Sequence, residues 1–91
     1  MQYIICYDVS EDKIRREVVK FLESFAHRLQ GSVFISDKDS LSMHKIQQHL
    51  LKITKTSDKC KLLIAPLGWG SVKDIWTNDE TMKKSQYYII S

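Results

Sequence analysis

Apolar side chains run without a break from Tyr3 through Ile4, Ile5 and Cys6 to Tyr7, and Asp8 stops them. A run this short, rich in β-branched and aromatic residues, suits a strand covered on both faces. The period then changes. Ile14, Val18, Phe21, Leu22 and Phe25 recur at helical spacing and make one apolar stripe, while Lys13, Arg16 and Lys20 fall on the opposite face. Ser10 suits the N-cap of this helix, and Glu11 and Asp12 suit the positive end of its dipole. Over residues 27–36 the pattern returns to strand. Val33, Phe34 and Ile35 favour it, and Gly31 marks either a bulge or a break into two strands. Residues 37–40 read as a turn. A second helix follows, with Met43, Ile46, Leu50 and Ile53 as its core stripe and Lys45, Gln48, His49 and Lys52 on its polar face. Residues 54–59 end it, and residues 61–67 form another strand, closed by Pro66, Gly68 and Gly70. Residues 68–85 show no period and are long for a plain connection, which suggests a structural or partner-binding role. Residues 86–90 read as a short last strand.

The predicted order is strand, helix, strand or hairpin, helix, strand, with one further strand at the end. That is the order of an α+β, ferredoxin-like βαββαβ sandwich, two helices on one face of a sheet, extended by a C-terminal strand. A chain of 91 residues has room for one core. Residues 1–91 therefore read as a single domain, its core over 1–67 and its extension over 68–91 reaching a dimer mate or another partner. So thin a core favours dimerisation.

Composition narrows the function. Hydrophobic residues are 43% of the chain and charged residues 27%, an ordinary globular balance. No basic n-region precedes the first apolar run and no small-residue cleavage site follows it, and no apolar run nears the roughly 20 residues that cross a bilayer. The chain reads as cytoplasmic, without a membrane partner. Cys6 and Cys60 form no Cys-x-x-Cys pair and read as reduced thiols. The net charge of +3 is compatible with binding a phosphate backbone without establishing it.

Among chemical candidates Asp8 comes first. It stands where an apolar strand ends, a position that holds functional groups on a rigid frame. Two roles are open to it: a side-chain cap for the turn, or an oxygen ligand for a hard cation such as Mg²⁺. One carboxylate is a poor metal site, and a two-fold axis beside Asp8 would supply a second. The faces bearing Lys13, Arg16 and Lys20, and Lys45, His49 and Lys52, either follow phosphates or stay solvated. Arg28 sits in a strand context, where a cation calls for an acid or a phosphate. Tyr3, Tyr7 and Phe34 suit either base stacking or the core. Other chemistries find no support. His44 and His49 are five apart, where two ligands on one helix face are usually four apart. Gly68-Trp69-Gly70 is not followed by the Gly-Lys-Ser/Thr of a phosphate loop, and no Gly-x-Ser-x-Gly elbow occurs.

One run is more specific than its composition. Arg28-Leu29-Gln30-Gly31-Ser32-Val33-Phe34 resembles the Arg-x-Gln-x-Ser-Val-Phe signature of the CRISPR-associated protein 2 family. Tyr7-Asp8-Val9 at the end of the first strand, Asp12 followed by Arg15-Arg16, and the apolar strand ending in Pro66-Leu67 fall where that family has similar pieces. The resemblance spans about residues 3–67. It departs at Phe25-Ala26, where the family usually has a glycine, and at Ile35-Ser36, where the family often has Glu or Met and then Gly.

The resemblance implies a ferredoxin-like homodimer with the two Asp8 copies near its axis. It implies a CRISPR adaptation subunit that bridges integrase subunits of the CRISPR-associated protein 1 family. Such a subunit holds a prespacer duplex by its backbone during spacer acquisition. Arg15, Arg16 and Arg28 are then the first phosphate contacts, with Lys13 and Lys20 beside them, and residues 86–90 pair with a partner's sheet. Some members are described as Mg²⁺-dependent endonucleases on RNA or DNA. In that reading Asp8 is both catalytic residue and metal ligand, and the metal polarises a phosphate and activates water. A third reading, through a similar fold, is a toxin-like ribonuclease resembling virulence-associated protein D.

Overall fold

The structure is a computed structural model that describes residues 2–67 and 75–78. Among the described residues, five strands and two helices follow in the order β1 (Tyr3–Asp8), α1 (Asp12–Glu23), β2 (His27–Gln30), β3 (Val33–Ser36), α2 (Ser40–Ile53), β4 (Lys61–Pro66) and β5 (Trp76–Thr77). They build one sheet of order β2-β3-β1-β4-β5, with every neighbouring pair antiparallel. The first four strands and two helices are the ferredoxin-like βαββαβ arrangement that the sequence order predicts.

The register explains the burial. Ile5 lies opposite Phe34 on β3 and Ile64 on β4, and all three are fully buried. With Tyr3, Tyr7 and Leu62 they form the sheet's side of a core completed by Val18 and Leu22 of α1 and Met43, Ile46 and Leu50 of α2. Alternate residues point the other way. Ile4, Cys6, Val33, Ile35, Leu63 and Ala65 share the helix-free face and are only half buried. The first strand is thus apolar on both faces, as its unbroken run predicts, but the two described helices cover only one of them.

Gly31 splits the predicted strand in two. Its φ of +43° belongs to the left-handed region, and it turns β2 into β3 with Ser32. The ladder shifts register beside Leu29, between the pairs Arg28↔Phe34 and Gln30↔Val33, so a bulge accompanies the break.

Both helix starts are informative. Asp39 caps α2 by accepting a hydrogen bond from the Ser42 N–H at 2.8 Å. The N-cap expected at Ser10 falls instead at Glu11, whose side chain makes no capping bond. Ser10 Oγ donates to Glu11 Oε1 at 2.9 Å, so the hydroxyl is turned onto its neighbour rather than onto the helix. The end of α1 needs no glycine. Ser24 stays right-handed, and the N–H groups of Phe25 and Ala26 both reach the Leu22 carbonyl.

β5 falls within the stretch that showed no period. Side chains latch it: Thr77 Oγ1 donates to the Leu62 carbonyl at 2.6 Å, and Asn78 Oδ1 accepts from the Leu62 N–H at 2.7 Å. The strand expected over residues 86–90 lies outside the described residues. No described helix is long and apolar enough to cross a membrane.

Candidate nucleic-acid interface

The amphipathic pattern of α1 fixes where its charges go. Val18 and Leu22 are drawn into the core, so Arg15 and Arg16 come to the edge of the helix facing the β2–β3 hairpin. There a groove of about 550 Å³ is lined by Arg15, Arg16 and Lys20 from α1, Arg28 from β2, Tyr7 from β1, and the turn residues Gly31 and Ser32. Among the described residues that line it, Glu23 is the one carboxylate against these four cations.

The four cations are not equally available. Arg15 is tied down, since one guanidinium nitrogen pairs with Asp12 and another donates to the Val9 carbonyl at 3.4 Å. Arg28 lies over the Phe34 ring at 5.2 Å from its centroid, with a cation–π contact as well as its charge. Arg16 and Lys20 are exposed and enter no ion pair among the described residues. Lys13 is exposed on the outer face of α1 but does not line the groove. The structure thus brings together Arg15, Arg16, Lys20 and Arg28, four of the five cations named above as phosphate contacts, and leaves out Lys13. Tyr7, Gly31 and Ser32 are lining residues that the charge pattern could not reveal, although the last two lie inside the signature run. Tyr3, Tyr7 and Phe34 are buried, which gives them to the core rather than to base stacking.

Asp8 ends β1 on the helix-free face and is exposed. It lines a shallow depression of about 240 Å³ with Cys6, Tyr7, Lys61, Leu62 and Leu63. Its carboxylate accepts no hydrogen bond from the described residues, so it does not cap the turn. Tyr7 lines both this depression and the cationic groove, and its N–H donates to the Ser32 carbonyl at 3.2 Å, so the two sites adjoin at one end of the sheet.

Magnesium is the ion that the resemblance implies. Asp8 offers one carboxylate, and among the described residues no three His, Cys, Asp or Glu converge. Lys61, a cation, stands directly across the ladder from Asp8. Magnesium takes six oxygen ligands, keeps several of them as water, and is held through one or two carboxylates together with substrate phosphates. Among the described residues of one chain Asp8 is alone in this position, and a second Asp8 would bring the carboxylates to the pair that commonly holds magnesium.

Fold and charge together define a class: a small ferredoxin-like α+β protein with a cationic groove beside an exposed strand-end carboxylate. The same fold occurs in the crystal structure of a hypothetical protein from Thermus thermophilus, with a TM-score of 0.66 at 25% identity over 74% of this chain and 80% of that one. The chain belongs to the CRISPR associated protein Cas2 family, whose sequence model matches residues 1–75. Among its relatives is a Synechocystis protein named CRISPR-associated endoribonuclease Cas2 3, 32% identical over 81% of this chain and 82% of that protein. Another, from Chloroflexus aurantiacus, is named CRISPR-associated endoribonuclease Cas2 1 and is 33% identical over 70% of this chain and 69% of that protein.

Proposed function

We propose that this protein is a CRISPR adaptation subunit: a homodimer that bridges integrase subunits of the CRISPR-associated protein 1 family and holds a prespacer duplex by its phosphate backbone. The observation that carries this reading is the convergence of Arg15, Arg16, Lys20 and Arg28 on one groove in a chain of this family. Cations on rigid elements position a duplex without reading its bases, which suits capture of DNA of any sequence. The half-buried apolar face of Ile4, Cys6, Val33, Ile35, Leu63 and Ala65 supports the dimer, because the described helices of one chain pack on the other face. The test is duplex binding by fluorescence polarisation across a salt series. Replacing Arg16 and Lys20 by alanine lowers affinity for all duplex sequences alike and flattens the salt slope by roughly one unit per lost phosphate contact. Equal affinity and an equal slope in the variant would overturn the reading.

The exposed carboxylate of Asp8 beside the cationic groove favours a second activity, that of an endonuclease on single-stranded RNA or duplex DNA; the relatives' names carry endoribonuclease. The groove would bind the phosphate chain and Asp8 from each subunit would face the scissile bond, with Mg²⁺ as the cofactor this activity would use. Cleavage of single-stranded RNA or duplex DNA by the wild type, lost in Asp8→Ala and in chelator, supports it. Equal cleavage by both proteins marks a contaminant and leaves the binding role alone.

A further inference from the structure

The far edge of α1 carries a second groove that the proposed duplex site does not use. It lies between α1 and α2, measures about 340 Å³, and is lined by Phe21, Phe25, Ile46, Ser42, Lys38, Lys45 and His49. Its floor is apolar and aromatic, and its rim is cationic, with no carboxylate among the described residues that line it. His49 is exposed and stacks on Phe21 with ring centroids 4.1 Å apart and planes 26° apart. Phe25 meets Phe21 edge-on at 5.2 Å.

We propose that this groove holds one unpaired nucleotide of a single strand, its base against His49 and Phe25 and its phosphate between Lys38 and Lys45. Flat π-faces next to lysines are the chemistry by which single-stranded nucleic acid is bound without sequence preference. Lys45 and His49 are one helical turn apart, about 6 Å along α2, which matches the reach from phosphate to base. Asp39 is the nearby acid, and the charges of Lys38 and Lys45 act on it. Its carboxylate is already engaged with the Ser42 N–H, so it is aimed at the helix rather than into the groove. The volume is at the low end of ligand clefts, about 300–1,000 Å³, and admits a nucleotide rather than a duplex. A duplex also keeps its base faces stacked inside and has none to offer His49. An acidic peptide would satisfy the lysines but would leave the stacked ring pair without a planar partner.

The inference rests on the nucleic-acid reading for the class of ligand, and the two are tested separately. The probes are a labelled ten-nucleotide oligothymidylate, the corresponding oligouridylate, and a blunt duplex. His49→Ala weakens binding of the single strands by about tenfold, the lower part of the range for one lost base stack, and leaves the duplex within about twofold. Arg16→Ala with Lys20→Ala has its main effect on the duplex. His49→Trp restores or tightens single-strand binding, a rescue that a merely structural role would not show, and matching thermal melts confirm that the variants fold. Unchanged single-strand affinity in His49→Ala, an equal loss on both probe types, or no rescue by His49→Trp overturns the proposal. So does displacement of the single strand by a short Glu/Phe peptide that binds more tightly than either oligonucleotide. Loss of duplex binding alone in the arginine variant leaves this groove standing and bears only on the other.

Discussion

At the scale of single residues, backbone geometry and side-chain chemistry can be separated at the β2–β3 turn. A Cβ on Gly31 would meet nothing within 4 Å, yet its φ is +43°. Any cost of Gly31→Ala therefore comes from the left-handed backbone and not from a clash, and amounts to about 1 kcal/mol. Urea denaturation of Gly31→Ala and Gly31→Asn should rank the wild type first, asparagine next and alanine last, because asparagine tolerates this region better. The sequence left open whether Gly31 made a bulge or a break. It makes the break, with a bulge beside it, and only φ and the ladder register distinguish the two. The turn also places Arg28 beside α1, so loosening it should weaken duplex binding together with stability. Arg28 itself shows why charge alone misleads. Its place over Phe34 gives it a packing role, and Arg28→Ala would uncover a core ring as well as remove a cation.

At the scale of elements, α2 is held at its start by a charged cap. The Ser42 N–H, then the Ser42 hydroxyl, then Lys38 and Lys45 hold the Asp39 carboxyl below the usual carboxylate range. A carboxylate with a lowered folded pKa contributes stability above its unfolded pKa, and the contribution is lost as pH falls through the folded value. Glu11 is lowered too, first by the Ser57 hydroxyl and then by Ser10. Ser57 acts on it from nearby without closing a hydrogen bond, so we give Asp39 the larger structural role. Asp39→Asn keeps the cap but removes the titration. Its melting temperature should fall less steeply on acidification than the wild type's, whereas Asp39→Ala should melt lower across the whole pH range. Equal acid slopes in Asp39→Asn and wild type would exclude the cap as a source of acid sensitivity. The helical stripes and the first strand were legible because burial imposes a period on them. The start of α1 was not: Ser10 has the right chemistry for a cap, but it bonds Glu11. β5 was also hidden. It is two residues long, and what holds it is a pair of side chains bonding the Leu62 backbone from far along the chain. The cationic residues could be named from the sequence, yet no periodicity joins Arg16 to Arg28. Only the fold, or the resemblance that implied it, puts them on one groove.

At the scale of the whole molecule, the helix-free face is where the proposed dimer would form. Cys6 reports on it directly, because it lies on β1 between Leu63 of β4 and Val33 of β3, both on that face. Burial pushes the Cys6 thiol up from its ordinary value, so at neutral pH it is a slow nucleophile and its alkylation should speed up as pH rises. A dimer through this face would slow that reaction further by excluding the reagent. In a Cys60→Ser background, with Cys6 as the sole thiol, alkylation by iodoacetamide should slow as protein concentration rises through the dissociation range. Leu63→Asp places a charge opposite Cys6. It should yield a monomer in sedimentation velocity and make the alkylation rate independent of concentration. A species that sediments as a dimer while Cys6 reacts at one rate at every concentration would place the interface elsewhere. The same result would separate the two Asp8 carboxylates, because they share this face with Cys6 and Leu63. The metal-dependent reading would then fail on geometry before any nuclease assay, while the cationic groove on the helix side would be untouched. Dimerisation and phosphate binding are therefore separable, and Leu63→Asp should keep most of its intrinsic duplex affinity per chain while losing the avidity of two linked grooves.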